Sequence, residues 1–184
     1  AAWAARYRGL DVVVLELMDR IMPSVLDEEG ARLLTEKIRE KGVDLRTGVS
    51  TQRFEKLDDG TFKIHLAGGE EIKADFVIVG TGVRSNIGFL KDTDIQTERG
   101  ILVDSHMRTS IPNIYAAGDV AAGPTTFGDE HLIHVLWPTA CEMGKTAGKN
   151  MAGIDFEYEG SLNMNVTEMY GVTVASMGKF YDAD

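Results

Sequence analysis

Cysteine is nearly missing from this chain. Cys141 is the only one among 184 residues, which excludes an internal disulfide framework and fits a reducing, cytoplasmic setting. No apolar run approaches the roughly 18 residues of a membrane span, and no signal-peptide pattern is visible. Positive charge is also short: 19 Lys and Arg stand against 29 Asp and Glu, a formal net charge of −10. A chain this acidic offers no basic face for sequence-independent nucleic-acid binding. What remains is an ordinary core-forming composition, 43% hydrophobic and 26% charged, which excludes disorder and fibres. The length suits about one domain and a small second one. Glycine is in excess at 20 residues, about 11% against the usual ~7%, and predicts tight loops where backbone approaches something closely.

The opening, Ala1 to Gly9, has no initiator Met and no capping residue before a helix-like stretch. Gly9 suits the left-handed position that ends a helix. The chain therefore reads as a fragment cut into a helix that begins outside it. Leu10–Glu16 (LDVVVLE) reads as a fully buried strand of a parallel sheet. Asp27–Gly42 reads as a helix capped by Asp27, with Glu28 and Glu29 at its positive end, Ala31, Leu34 and Ile38 as its buried stripe, and Gly42 closing it. With Val43–Arg46 as the next strand, this is the order of a right-handed crossover unit. The stretches 52–57, 61–66 and 70–73, separated by Asp58-Asp59-Gly60 and Gly68-Gly69, predict an antiparallel meander. Asp75–Gly80 (DFVIVG) reads as another buried strand, running into Thr81-Gly82-Val83-Arg84. A strand over 113–117 leads into Gly118-Asp119. Pro138–Gly153 reads as a helix burying Ala140, Met143, Ala147 and Met151. The residues from Asn163 onward are strand-like.

Three places carry the chemistry. Glu16, at the end of the first strand, stands where an acid accepts hydrogen bonds from the ribose hydroxyls of a dinucleotide. The glycine fingerprint expected about 20 residues earlier would lie upstream of Ala1, and a solvated Glu ending a strand is the plain alternative. Gly80 and Gly82 follow a strand at the sheet edge where α/β sheets bind ligands; an ordinary tight turn is the alternative there. In Thr109–Asp119 (TSIPNIYAAGD), a strand ending in small residues presents an acid able to accept from sugar or polyol hydroxyls.

The stretch TSIPNIYAAGDV, 109–120, resembles the second flavin-binding motif of the FAD- and NAD(P)-dependent pyridine nucleotide–disulfide oxidoreductase superfamily. VVVLELMDRIMP (12–23) resembles the second strand of the family's NAD domain, DFVIVGTGVRSN (75–86) its glycine loop back to the FAD domain, and WPTACEMGKTAGKNMAG (137–153) the helix after the flavin Asp. The resemblance spans nearly the whole chain. It implies an α/β architecture in three parts. A Rossmann-like NAD(P)-binding domain with an antiparallel meander occupies 1–103, the C-terminal segment of an FAD-binding domain 104–153, and the start of an α+β interface domain 154–184. It implies that Gly118 and Asp119 bind FAD, with Asp119 on the ribityl chain. Under this reading the amides around Thr139 and Ala140, which lack helical partners, aim the helix dipole at the reduced flavin. Glu16, Gly80 and Gly82 complete the cofactor residues; no catalytic side chain is assigned.

The implied activity passes a hydride from NADH to FAD and then electrons to a small-molecule or redox-protein acceptor, in a homodimer. Glu16 repels a 2′-phosphate, while Arg20 keeps NADPH open. Asn150–Asn165 and Trp137-Pro138 look closer to NADH oxidase, nitrite reductase flavin subunits and rubredoxin-reductase-like enzymes than to glutathione or lipoamide reductases. The alternatives are a non-catalytic nucleotide-binding or dimerising module, or a redox sensor or assembly factor on the same fold. Cys141 has no partner for a redox pair and reads as a small buried side chain. His131 and His134 read as structural, with no metal site, and Arg84 as a solvated loop residue.

Overall fold

The computed structural model describes residues 1–127 and 130–178. They form two compact units, one of Ala1–Thr81 with the residues from Asn165 onward, the other of Gly82–Met164. In the first, α1 (Ala2–Tyr7) ends at Arg8 and Gly9, the latter at φ +81°. Strand β1 (Val13–Leu15), helix α2 (Glu28–Glu40) and strand β2 (Asp44–Arg46) follow, and β1 pairs with β2 in parallel, Val13 opposite Asp44 and Leu15 opposite Arg46. This is the expected crossover. The start of α2 is fixed by the Asp27 carboxylate, which accepts from the Gly30 amide at 2.8 Å, satisfying one of the donors a helix leaves open at its N-terminus. Ala31, Leu34 and Ile38 are buried as predicted. At the other end the Arg6 guanidinium of α1 donates to the Lys41 carbonyl at 2.9 Å. Gly42 turns the chain there at φ +77°, so glycine is required by conformation.

The meander follows as β3 (Thr51–Lys56), β4 (Phe62–Leu66) and β5 (Glu71–Ala74), all antiparallel. Ile64 and Leu66 are buried. The opposite face is a charge lattice: His65 lies 2.9 Å from Glu55 through Nε2 and 3.0 Å from Glu71 through Nδ1, and Lys73 donates to Asp59 at 2.8 Å.

In the second unit a three-stranded sheet joins β6 (Ile101–Leu102), parallel to β7 (Ala121–Pro124), with β8 (His131–Leu132) antiparallel on its other side. Helix α3 (Trp137–Met151) packs Met143 and Ala147 into a core with Ile101, Val103, Met107, Ala116, Ala121 and Tyr158. Asn150, buried on α3, donates to the carbonyls of Thr146 and Phe156 and accepts from the Phe156 amide, fastening the following segment to the helix. The chain then returns to the first unit as a hairpin, β9 (Met164–Met169) and β10 (Val172–Met177). Its turn, Tyr170-Gly171, has φ of +54° and +80°, the backbone twist that matches paired strands. The Tyr170 ring is buried with Ile21, Leu26, Leu34 and Val43 and lies 5.1 Å from the ring of Trp3. The end of the strand-like stretch, 179–184, lies outside the described residues.

Several expectations need correction. The strand expected over 10–16 is shorter and only partly buried: Val13 is exposed, because the sheet holds β1 and β2 alone and one edge of β1 has no neighbour among the described residues. Asp75–Gly80 forms no strand; Phe76, Ile78 and Val79 are exposed, since no described segment pairs with them. The strand expected over 113–117 is reduced to one bridge, Tyr115 with Arg108, and the strand of this region, β7, begins after Asp119 rather than before it. On α3 the buried face is rotated. Thr139, Met143, Thr146, Ala147 and Asn150 are inside, Ala140 is half-buried and Met151 is exposed. Asn150 takes an inward position because the following segment, at Phe156, supplies its hydrogen-bond partners. Cys141, expected inside, lies on the outward side of the same helix and is exposed.

Two measurements test this packing. Met107 has no exposed surface, so Met107→Ala is expected to cost about 2–5 kcal/mol of unfolding free energy in a urea titration. The Lys73 ammonium, followed by the Thr61 hydroxyl and amide, holds the Asp59 carboxyl well below the usual carboxylate range. A depressed folded value adds stability above the unfolded pKa of about 4, lost as pH falls through the folded value. The thermal midpoint is therefore expected to drop below about pH 4, and to drop less in Asp59→Asn.

Candidate functional site

The residues singled out in the sequence fall into two groups, one in each unit. Glu16 directly follows β1 and extends its pairing: its amide donates to the Arg46 carbonyl at 2.9 Å, and its own carbonyl accepts from the Val49 amide. Its side chain is half-buried, and one carboxylate oxygen accepts from the Met18 amide at 2.9 Å. That bond orients the carboxylate at the strand's C-terminal end and leaves the second oxygen available. Leu17 and Met18 beside it are exposed. Arg20 turns inward instead, its Nε buried without a partner among the described residues.

The second group is gathered around Asp119. Gly118 turns the chain at φ +79°, and a Cβ on it would meet the Ala140 Cβ at 3.5 Å. Glycine is required there by that φ, while a Cβ would make only ordinary contact with the first turn of α3, against which the 118–121 turn lies. The Ala121 amide closes that turn on the Gly118 carbonyl at 2.9 Å, and the Val120 carbonyl accepts from the Ile101 amide at 2.8 Å. Between them the Asp119 carbonyl accepts from the Ser85 hydroxyl at 2.6 Å. The Asp119 side chain is exposed and has no partner among the described residues. It stands at the entry of β7 and beside a helix N-terminus, so a free carboxylate is presented at a sheet end.

Helix α3 opens at Leu136 without a side-chain cap, and Pro138 in its first turn has no amide hydrogen. The Leu136 amide is taken by the His134 carbonyl, and the Ala140 amide by the Leu136 carbonyl at 3.0 Å. The expectation that Ala140 offers a free amide is therefore corrected: the fourth residue of the helix is already within its hydrogen-bond ladder. The amides of Trp137 and Thr139 are the donors of this turn without a partner among the described residues.

Gly80 and Gly82 flank the boundary between the two units. Neither has an atom within 4 Å of a notional Cβ; Gly82 requires its glycine through φ +88°, while Gly80 does not. Arg84 is exposed. His131 is exposed, and burial pushes the His134 imidazole below its ordinary value; no three His, Cys, Asp or Glu side chains converge among the described residues. No helix there is long and apolar enough to cross a membrane. Ser85 was not singled out by the sequence: a serine in a loop carries no signal of a partner 34 residues away.

The pyridine nucleotide-disulphide oxidoreductase family model matches residues 1–144. The assimilatory nitrate reductase electron transfer subunit of Bacillus subtilis is 33% identical over 187 residues, covering 99% of this chain and 23% of that protein. The water-forming NADH oxidase of Lactobacillus brevis, solved bound to NADH, superposes with a TM-score of 0.89 at 28% identity, covering 97% of this chain and 39% of that one. An FAD-dependent pyridine nucleotide-disulphide oxidoreductase from Desulfovibrio vulgaris superposes with a TM-score of 0.85 at 26% identity, covering 97% and 45%. The chain thus spans less than half the length of these relatives. With the match running unbroken through both groups of residues, this chain belongs to the pyridine nucleotide-disulphide oxidoreductase family.

Proposed function

We propose that the protein serves an FAD-dependent NADH oxidoreductase that delivers electrons to a small-molecule or redox-protein acceptor. The observation that carries this reading is the unpartnered Asp119 carboxylate, in a turn that lies beside the uncapped first turn of α3. A polyol fits such a site: a carboxylate accepts two hydroxyl hydrogen bonds, and the nearby amides complement negative charge. When bound, FAD supplies the acceptance of a hydride from the nicotinamide and the onward transfer of electrons.

The roles of the chain's own residues follow. Asp119 accepts from the ribityl hydroxyls. The amides of Trp137 and Thr139, at the positive end of α3, favour negative charge placed before them. Glu16, its carboxylate oriented by the Met18 amide, accepts from the adenosine ribose hydroxyls and repels a 2′-phosphate, which favours NADH; exposed Leu17 and Met18 offer that phosphate no cation. Arg20, with its Nε buried, is the residue through which NADPH would be admitted. Gly80 and Gly82 let bare backbone approach the nucleotide. The hairpin of β9 and β10 exposes Met164, Val166 and Met177, an apolar face suited to a second copy in a homodimer. A reducing, cytoplasmic compartment suits the exposed thiol of Cys141. Relatives supply the acceptor range: one is named as an electron transfer subunit and another as a water-forming oxidase.

The full natural chain is expected to purify yellow and to bleach anaerobically on addition of NADH; a colourless protein that takes up neither FAD nor NADH overturns the reading. Asp119→Ala is expected to weaken FAD binding by about 1.5–3 kcal/mol, the strength of hydrogen bonds to a charged group, read by titrating the apoprotein with FAD. Glu16→Ala is expected to raise the KM for NADH by a similar free energy with little change in kcat.

A further inference from the structure

Asp119 is the only residue of its turn whose carbonyl is held by a side chain. The neighbouring carbonyls of Gly118 and Val120 accept from backbone amides, of Ala121 within the turn and of Ile101 on β6. The Asp119 carbonyl accepts from the Ser85 hydroxyl at 2.6 Å, across 34 residues of sequence. Without that bond, the carbonyl of the peptide joining Asp119 to Val120 would have no partner among the described residues. Rotation about the Asp119 Cα–C bond would then be opposed only by the flanking bonds, Ala121 to Gly118 and Ile101 to Val120, and the direction in which the Asp119 side chain leaves the turn would be less tightly set. The side chain itself has nothing else to orient it, being exposed and without a partner among the described residues.

Ser85 is half-buried, and its position is set locally: the Ile87 amide donates to its carbonyl at 3.1 Å, leading into a short helical turn at Gly88–Leu90. The hydroxyl is therefore held by a structured stretch. Because Ser85 closely follows Gly82, it also ties the glycine loop to the Asp119 turn.

We propose that Ser85 is a positioning residue for the cofactor site: its hydroxyl locks the Asp119 peptide, so that the Asp119 carboxylate is oriented before the FAD polyol arrives. A ligand that meets a pre-oriented acceptor does not lose the free energy of ordering it. This rests on the assignment of Asp119 to FAD made above.

The test uses the full natural chain, stripped of flavin and titrated with FAD, in Ser85→Ala, Ser85→Thr, Asp119→Ala and the double variant Ser85→Ala/Asp119→Ala. The flavin's two-electron midpoint potential and visible spectrum are recorded alongside. Removing one neutral hydrogen bond is expected to raise the FAD dissociation constant of Ser85→Ala about three- to tenfold. Ser85→Thr, which keeps the hydroxyl, is expected to bind within about twofold of the parent. In the Asp119→Ala background, Ser85→Ala is expected to have no further effect, because the group it positions is gone. Unchanged affinity in Ser85→Ala overturns the proposal, as does an equal loss in both backgrounds, which would mark a role independent of Asp119. If Asp119→Ala leaves FAD affinity and potential unchanged, the assignment of Asp119 to FAD falls, and the positioning role falls with it. The two failures are told apart by which single variant is silent.

Discussion

Three consecutive carbonyls, those of Gly118, Asp119 and Val120, are each engaged by a different part of the second unit: the turn's own Ala121, the loop residue Ser85 and strand β6 through Ile101. Because backbone acceptors in a tight turn must be satisfied, this turn has little freedom. The arrangement of the candidate site depends on it. It brings Gly118 against Ala140 at the start of α3, and it leaves the Asp119 carboxylate as the group with no internal obligation. A carboxylate that the fold itself does not use is one that can be used by a ligand.

The same division of labour holds in the first unit. The backbone of Glu16 is committed at both its amide and its carbonyl, and one carboxylate oxygen is committed to Met18. What remains is a single oriented oxygen at the end of a parallel strand. Both candidate groups thus share a feature: a backbone carbonyl engaged by another segment, and a carboxylate oxygen without a partner among the described residues. That is the state in which hydrogen bonds to a cofactor cost the least ordering.

Local signals were legible in the sequence where a single element suffices to express them. The cap Asp27, the buried stripe Ala31-Leu34-Ile38, the terminator Gly42 and the glycine turns of the meander were all read correctly, because each depends on neighbours within a few residues. Asp75–Gly80 was misread because a strand is a property of a pair, and no described segment is hydrogen-bonded to it. The strand near Asp119 was placed on the wrong side of the acid because the small residues 116–118 fit a packed turn as well as a strand end. On α3, periodicity found Met143 and Ala147. It could not foresee that polar Asn150 would turn inward, since its partners at Phe156 belong to a later segment. Cys141 followed the same error of phase. Glu16 and Asp119 were proposed from chemistry at strand ends, whereas Ser85 carried no signal because its partner lies 34 residues away in sequence.

The extended stretch from Phe76 to Val79 has a consequence of a different kind. It sets large apolar side chains in water along backbone with no ladder to join, which is a template for any passing strand. Electrostatic repulsion from a net charge of −10 is spread over the whole surface and is weakened by salt, whereas strand addition acts at one short ribbon. As ionic strength rises and that repulsion weakens, this short ribbon carries a growing share of the tendency of these 184 residues to clump.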